Sequence, residues 1–181
     1  MKHTALWLGT LMGISALWGC GSSDSKSTGA PSEAGAPSAP QTVAPSSETE
    51  SVLAATSGYS AWAMFPENTA PTLSKAHMGM YVVAHYNDVV ATAVQAKTLP
   101  LPDGALIVKD NFAHADDKMP MAITVMSKQS GGWYWIEATS DGKVILDSMG
   151  KALEGTDVAM CVGCHESKKS NDYVMTHDFT K

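Results

Sequence analysis

The sequence predicts an α+β domain, a β-rich antiparallel sheet with a few short helices. Three observations carry that prediction. Runs rich in Val, Ile, Tyr and Trp follow one another closely between residues 80 and 146, as strands joined by turns do. Within Pro120–Lys128, Met121, Ile123 and Val125 alternate with Ala122, Thr124 and Met126, the two-residue period of a pleated strand. Gln129-Ser130-Gly131-Gly132 then parts two such runs with the composition of a hairpin turn.

Before the domain come two segments of different character. Met1–Gly19 has Lys2 at its start and an apolar run, Ala5–Trp18, too short to be a comfortable membrane span. It reads as a signal peptide. Its end, Leu17-Trp18-Gly19-Cys20, resembles the lipobox of bacterial lipoproteins, although Trp18 is bulkier than the small residue usual there. That resemblance implies cleavage before Cys20 and lipidation of its thiol. Gly21 rather than Asp follows, which by the sorting habit of such lipoproteins implies the outer membrane, facing the periplasm of a bacterial envelope. Residues 20–57 are Ser, Ala, Pro, Gly and Thr with a few acids, and Val43, Val52 and Leu53 are their large apolar residues. Such a segment buries too little to offset its ordering entropy, so a lipid-attached disordered linker is expected, with the folded domain at 58–181.

Within the domain, Tyr59–Phe65 has helical spacing and a stop at Pro66, so a short helix is expected. Met80–Tyr86 is a β-branched and aromatic run, hence a strand. Asn87 can cap a helix over Asp88–Lys97, with Val89, Val90, Ala93 and Val94 on one face. Pro100 and Pro102-Asp103-Gly104 mark a turn. Strands follow at Ala105–Phe112, Pro120–Lys128 and Gly132–Thr139, then a turn at Ser140-Asp141-Gly142 and a short strand, Lys143–Leu146. The chain becomes helical around Asp157–His165, with Thr156 as its expected cap.

Charge and cysteine count narrow the function. The chain carries −6, and loss of Lys2 with the signal leaves 11 Lys against 18 Asp plus Glu; it contains no arginine. An acidic, arginine-free protein lacks the positive footprint that nucleic acid needs. Cys20 is claimed by the lipobox, and the other two of the three cysteines fall in Cys161-Val162-Gly163-Cys164-His165, so none is left for a disulfide.

C-x-x-C-H is the attachment signature of a c-type haem. Two thiols at this spacing bond to the two vinyl groups, and His165 supplies an axial nitrogen to the iron. A redox C-x-x-C pair belongs near the start of a βαβ fold, and a zinc site needs two further ligands at matching spacing. One covalent haem c per chain is therefore expected, on Cys161 and Cys164 with His165 as ligand. A C-terminal motif on a sheet fits neither the small helical cytochromes c nor the four-helix cytochromes c′.

The ordered set of segments resembles the cytochrome P460 family, which includes the β-type cytochromes c′. The pieces are His77-Met78-Gly79 leading into Tyr81–Asn87, then Leu101-Pro102-Asp103-Gly104 through Lys109, then Ile123–Lys128. Gly131-Gly132-Trp133-Tyr134-Trp135 follows, and Cys161–His165 with Asp172-Tyr173-Val174 completes the set. The resemblance spans Tyr59 to Phe179. It implies an antiparallel sheet holding one haem, His165 on the proximal side, and homodimers. It also implies that Lys109, five residues after Gly104, faces the haem edge, where this family forms a covalent lysine link. Strand alternation independently groups Lys109 with Ile107 and Asn111, against Leu106, Val108 and Asp110.

For the distal face the candidates are Phe65, Phe112, Tyr134 and Trp135, with Glu137 or His85 as polar alternatives. His77 reads as a turn residue, and His114 and His177 as exposed. Met119, Met121, Met126, Met149 and Met160 read as core filler rather than ligands. Three functions remain open: binding of NO or CO at an open iron, oxidation of hydroxylamine at a cross-linked haem, and electron transfer through a six-coordinate haem with a redox partner protein. An oxidising site of this family can use an arginine, which this chain lacks.

Overall fold

The computed structural model describes residues 39–181. In chain order the elements are β1 (Thr42–Val43), α1 (Ser47–Ala55), β2 (Ala63–Met64), β3 (Thr72–Leu73), β4 (Tyr81–Tyr86) and α2 (Asp88–Ala96). Then come β5 (Leu106–Phe112), β6 (Ala122–Gln129), β7 (Gly132–Ala138), β8 (Val144–Ile145), β9 (Glu154–Gly155) and α3 (Ala159–His165). The strands form one sheet in the order β1-β8-β7-β6-β5-β4-β2, with β3 also on β4 and β9 also on β7. Every pairing is antiparallel. The predicted fold class is the observed one.

The centre, β4 to β7, is a meander in which each strand returns beside its predecessor. Gln129 pairs with Gly132, so the expected turn is a two-residue loop, Ser130-Gly131. Asn87 caps α2 as expected, its Oδ1 accepting from Val90 N at 3.3 Å. The same oxygen accepts from Leu106 N at 3.1 Å, and Asn87 Nδ2 donates to Gly104 O at 2.8 Å. One side chain thus ties α2 to the Pro102-Asp103-Gly104 turn and sets where β5 begins.

Alternation gives the sheet two faces. On the first, Ala84, Tyr86, Ile107, Met126, Trp133 and Trp135 pack with Val90 and Ala93 of α2, with α3, and with Val174 and Phe179. On the second, Leu106, Val108, Val125, Tyr134 and Ile136 pack with Val52 of α1, and Tyr59 and Trp62 lean on that cluster.

Several expectations are corrected. The expected linker, 20–57, runs into ordered structure from Thr42 onward, and residues 20–38 lie outside the described residues, as do the signal segment and Cys20. The local reason for α1 is its start. Ser46 accepts from Thr49 N at 3.3 Å, and Glu48 and Glu50 sit in the positive first turn. The larger reason is tertiary. Val52 is buried against the sheet, worth about 1.5–3 kcal/mol, and the buried Thr49 hydroxyl bonds Tyr134 OH at 2.9 Å. Tyr59–Phe65 is a single 3-10 turn, Tyr59–Ala61, and then β2 on the edge of β4, because the sheet edge claims the backbone. α3 begins after Val158 with no side-chain cap, so Thr156 plays no such role. Among the described residues no helix is long and apolar enough to cross a membrane.

Candidate functional site

α3 carries the C-x-x-C-H motif and packs on the first face through the half-buried Cys161 and Val162. Gly163 and Cys164 are exposed. Cys161 and Cys164 are free thiols. Burial, reinforced by the nearby Glu137 carboxylate, pushes the Cys161 thiol up to about 11.

His165 is oriented from behind. Its Nδ1–H donates to Tyr173 O at 2.7 Å, which fixes the tautomer and leaves Nε2 as the lone-pair nitrogen, the arrangement typical of a metal-ligating imidazole. Trp135 stands edge-on to the ring at 4.8 Å. Burial and the Lys109 charge both lower the His165 pKa, while the Tyr173 bond opposes them.

The turn that presents Tyr173 O is an unusual one. Asp172 and Tyr173 both have left-handed backbones, φ 50° and 66°, a conformation that costs L residues about 1–2 kcal/mol each. Asp172 holds it in place. One buried carboxylate oxygen accepts from Leu101 N at 2.8 Å, and the other from Lys128 Nζ at 2.7 Å and Trp133 Nε1 at 3.2 Å. Trp133 Nε1 also donates to Asp172 O at 3.0 Å. The His165 imidazole is therefore aimed by a carboxylate seven residues further on.

Across the sheet, Ala84, Lys109, Thr124 and Glu137 stand in register on neighbouring strands. Lys109 lies on the same face as Ile107, which packs in the cluster that includes α3, as alternation predicts. Burial lowers its pKa to about 8, against the raising effect of Glu137 and Cys161. Glu137 is itself shifted upward by burial, with Lys109 opposing. Lys109 Nζ lies against the ring edge of His77, 2.9 Å from Nδ1 and 2.5 Å from Nε2. Lys109, Glu137, Cys161, His165 and His77 thus border one region.

The other candidates disperse. Trp135 stands beside His165. Tyr134 lies on the second face with its hydroxyl on Thr49, and Phe112 continues the Leu106, Val108, Asp110 side of β5. Phe65 is core, packed on Tyr86 and Phe179. His85 is buried on the second face against Asp110, Nε2 to Oδ2 3.4 Å. His114 is exposed as expected. His177 is not: it stacks on Phe65 at 5.3 Å and its Nδ1 meets Glu67 at 3.0 Å. Met126 is core, whereas Met119, Met121, Met149 and Met160 are exposed rather than filler. The sequence reading missed His77 and the task of Asp172. The Gly79 that closes the turn beside His77 was the available signal for the first. For the second no local signal exists, since its partners come from three distant segments.

The donor set fits a c-type haem. It offers two thiols one helical turn apart, one exposed and one half-buried, and an imidazole with its Nε2 free. Among the described residues no group of three or more His, Cys, Asp or Glu is gathered to hold a metal ion in some other way. No curated protein matches the chain. The family model Cytochrome P460 matches residues 56–176, two thirds of the sequence and every residue of the site just described. The chain belongs to the cytochrome P460 family, whose members are c-type haem proteins of the P460 and cytochrome c′ kind.

Proposed function

We propose that this protein is a monohaem cytochrome that binds or processes small nitrogen-oxide-type ligands, such as NO or hydroxylamine, at an open iron. The observation that carries the reading is the pairing of an oriented His165 with a partly buried polar group, Lys109 and Glu137, on one sheet face. In this reading the thiols of Cys161 and Cys164 would hold the haem and His165 Nε2 would bind its iron. The haem supplies an iron centre for ligand binding and electron transfer. The chain supplies the rest. Tyr173 and Trp135 fix the proximal ring, the apolar first face excludes water, and Lys109 and Glu137 place one positive and one acidic side chain where a polar ligand can meet them.

A second reading is oxidation of hydroxylamine, with Lys109 bonded to the haem edge. It is favoured by Glu137, a partly buried carboxyl that can take a proton close to Lys109, and opposed by the absence of arginine. Cys20 would anchor the protein to the outer membrane by lipid, facing the periplasm, where a redox partner protein could reach it; a homodimer is part of the same family analogy.

Absorption spectra of the purified holoprotein, oxidised, reduced and with CO, beside Lys109→Ala, test these readings. A high-spin spectrum that responds to CO supports the open iron. A red-shifted ferrous band lost in Lys109→Ala establishes the cross-link and selects the oxidase. A low-spin spectrum indifferent to CO overturns both.

A further inference from the structure

We propose that Trp135 and Trp133 carry electrons between this site and the protein surface, and that their exit, a cavity beside Lys169, receives a redox protein with an acidic face. This deepens the proposed function and rests on His165 as the ligand of the haem iron, not on whether that iron is open.

The route is a series of contacts that begins at the imidazole. Trp135 stands edge-on to the His165 ring, with centroids 4.8 Å apart. Trp133 is two residues back along β7, so the pleat puts it on the same face, and its ring centroid lies 6.4 Å from that of Trp135. Both indoles are buried. Trp133 Nε1 donates to Asp172 O at 3.0 Å and to the Asp172 carboxylate at 3.2 Å. Asp172 in turn lines a surface cavity of about 300 Å³ together with Leu99, Pro100, Lys169 and Ser170. Each contact hands on to the next, and the last one opens to solvent.

Electron transfer through protein weakens steeply with each gap between conjugated groups, and the two indoles fill the gap between His165 and the cavity. They serve as a bridge rather than as stations where charge rests. Lys128 Nζ sits 4.9 Å over the Trp133 ring, and a cation held on the ring face raises the cost of taking an electron from it. One electron leaves the reduced site and appears on the acceptor. No bond forms or breaks, and no proton moves, because the Trp133 N–H stays on Asp172. The mouth sets the partner. Lys169 and its neighbour Lys168 are exposed in a chain whose net charge is −6, and Glu166, three residues before Lys169, does not line the cavity. The Asp172 carboxylate is turned inward to Lys128 Nζ at 2.7 Å. A positive rim on an otherwise acidic protein steers an acidic partner to that spot and away from the rest of the surface.

The test follows oxidation of ferrous holoprotein by ferricyanide, an anionic one-electron acceptor, in wild type, Trp133→Leu, Trp133→Phe and Lys169→Glu. Both Trp133 substitutions lose the bond to Asp172, but phenylalanine keeps a ring. The rate is expected to fall severalfold in Trp133→Leu and to recover in part in Trp133→Phe, with an unchanged reduction potential. Lys169→Glu should slow ferricyanide and speed a cationic cobalt complex, and added salt should narrow both differences. Equal losses in the two Trp133 variants would assign the effect to the Asp172 bond and overturn the route. So would wild-type rates in both, or a rate loss matched by a shift in reduction potential. Rates indifferent to Lys169→Glu overturn the exit. A wild-type spectrum that ignores CO overturns the open iron and leaves this route standing, whereas a protein without histidine-ligated haem overturns both.

Discussion

Neighbouring residues of β5, Lys109 and Asp110, bury opposite charges on opposite faces of one sheet, and the two faces treat them differently. Asp110 is closed in: Oδ1 accepts from Tyr59 OH at 2.6 Å, and Oδ2 lies 3.4 Å from His85 Nε2. Burial and Asp110 push the Tyr59 pKa up, so its hydroxyl stays protonated and keeps donating. The carboxylate thus joins the segment after α1 to the sheet. Lys109 has His77 beside it and Glu137 two strands away, and burial depresses its pKa to about 8 even though Glu137 and Cys161 pull it upward. A buried charge whose partners satisfy it serves the fold; one left underpartnered on a shared face is what a reactive site looks like. The same strand carries both because the pleat sends successive side chains to opposite sides.

The largest effect should come from the clamp that serves the first face. Asp172→Ala strands Lys128 and Trp133 Nε1 and should cost about 3 kcal/mol in a denaturant titration. It should also disturb the axial-ligand spectrum, since Tyr173 O loses its support. A destabilised variant with an unchanged spectrum would show that the clamp serves only the fold. On the second face, Tyr59→Phe removes the hydroxyl from Asp110 and should cost about 1–2 kcal/mol with no spectral change. A spectral change there would mean that the two faces communicate through β5.

The smallest effect is a pH slope. With haem attachment blocked by Cys161→Ala and Cys164→Ala, His77 titrates near 4 in the folded chain and near 6.5 when unfolded. Between those values the unfolded chain binds more protons, so stability is full above about pH 6.5 and falls as pH drops toward about 4. Urea midpoints at about pH 7 and about pH 5 should therefore differ. His77→Gln should flatten the difference, and an equal slope in that variant would refute the assignment.

How much of this was legible in the sequence follows from where the information lay. The strands β4 to β7, the Asn87 cap and the Ser130-Gly131 turn are local patterns, and they emerged within a residue or two of prediction. Alternation put Lys109 on the face that α3 and its C-x-x-C-H motif pack against. What escaped depends on partners far away in the chain. α1 has a composition suited to a linker and is held by Tyr134 and the sheet. Tyr59 is stationed by Asp110, 51 residues on. Asp172 gathers donors from 39 to 71 residues away, and His77 looked like one turn residue among several until β5 was placed beneath it.

The meander has a consequence for how the protein is made. Each central strand pairs with the one before it, through α2 between β4 and β5 and through shorter connections thereafter, so these contacts are close in sequence and form early. Chains emerge from synthesis N-terminus first, and α3 follows the nine strands of the described residues. The thiols of Cys161 and Cys164 therefore arrive at a sheet that can already have formed. Assembly from the N-terminus ends, rather than begins, with the segment that carries the C-x-x-C-H motif, and the Asp172 clamp is the last latch to close.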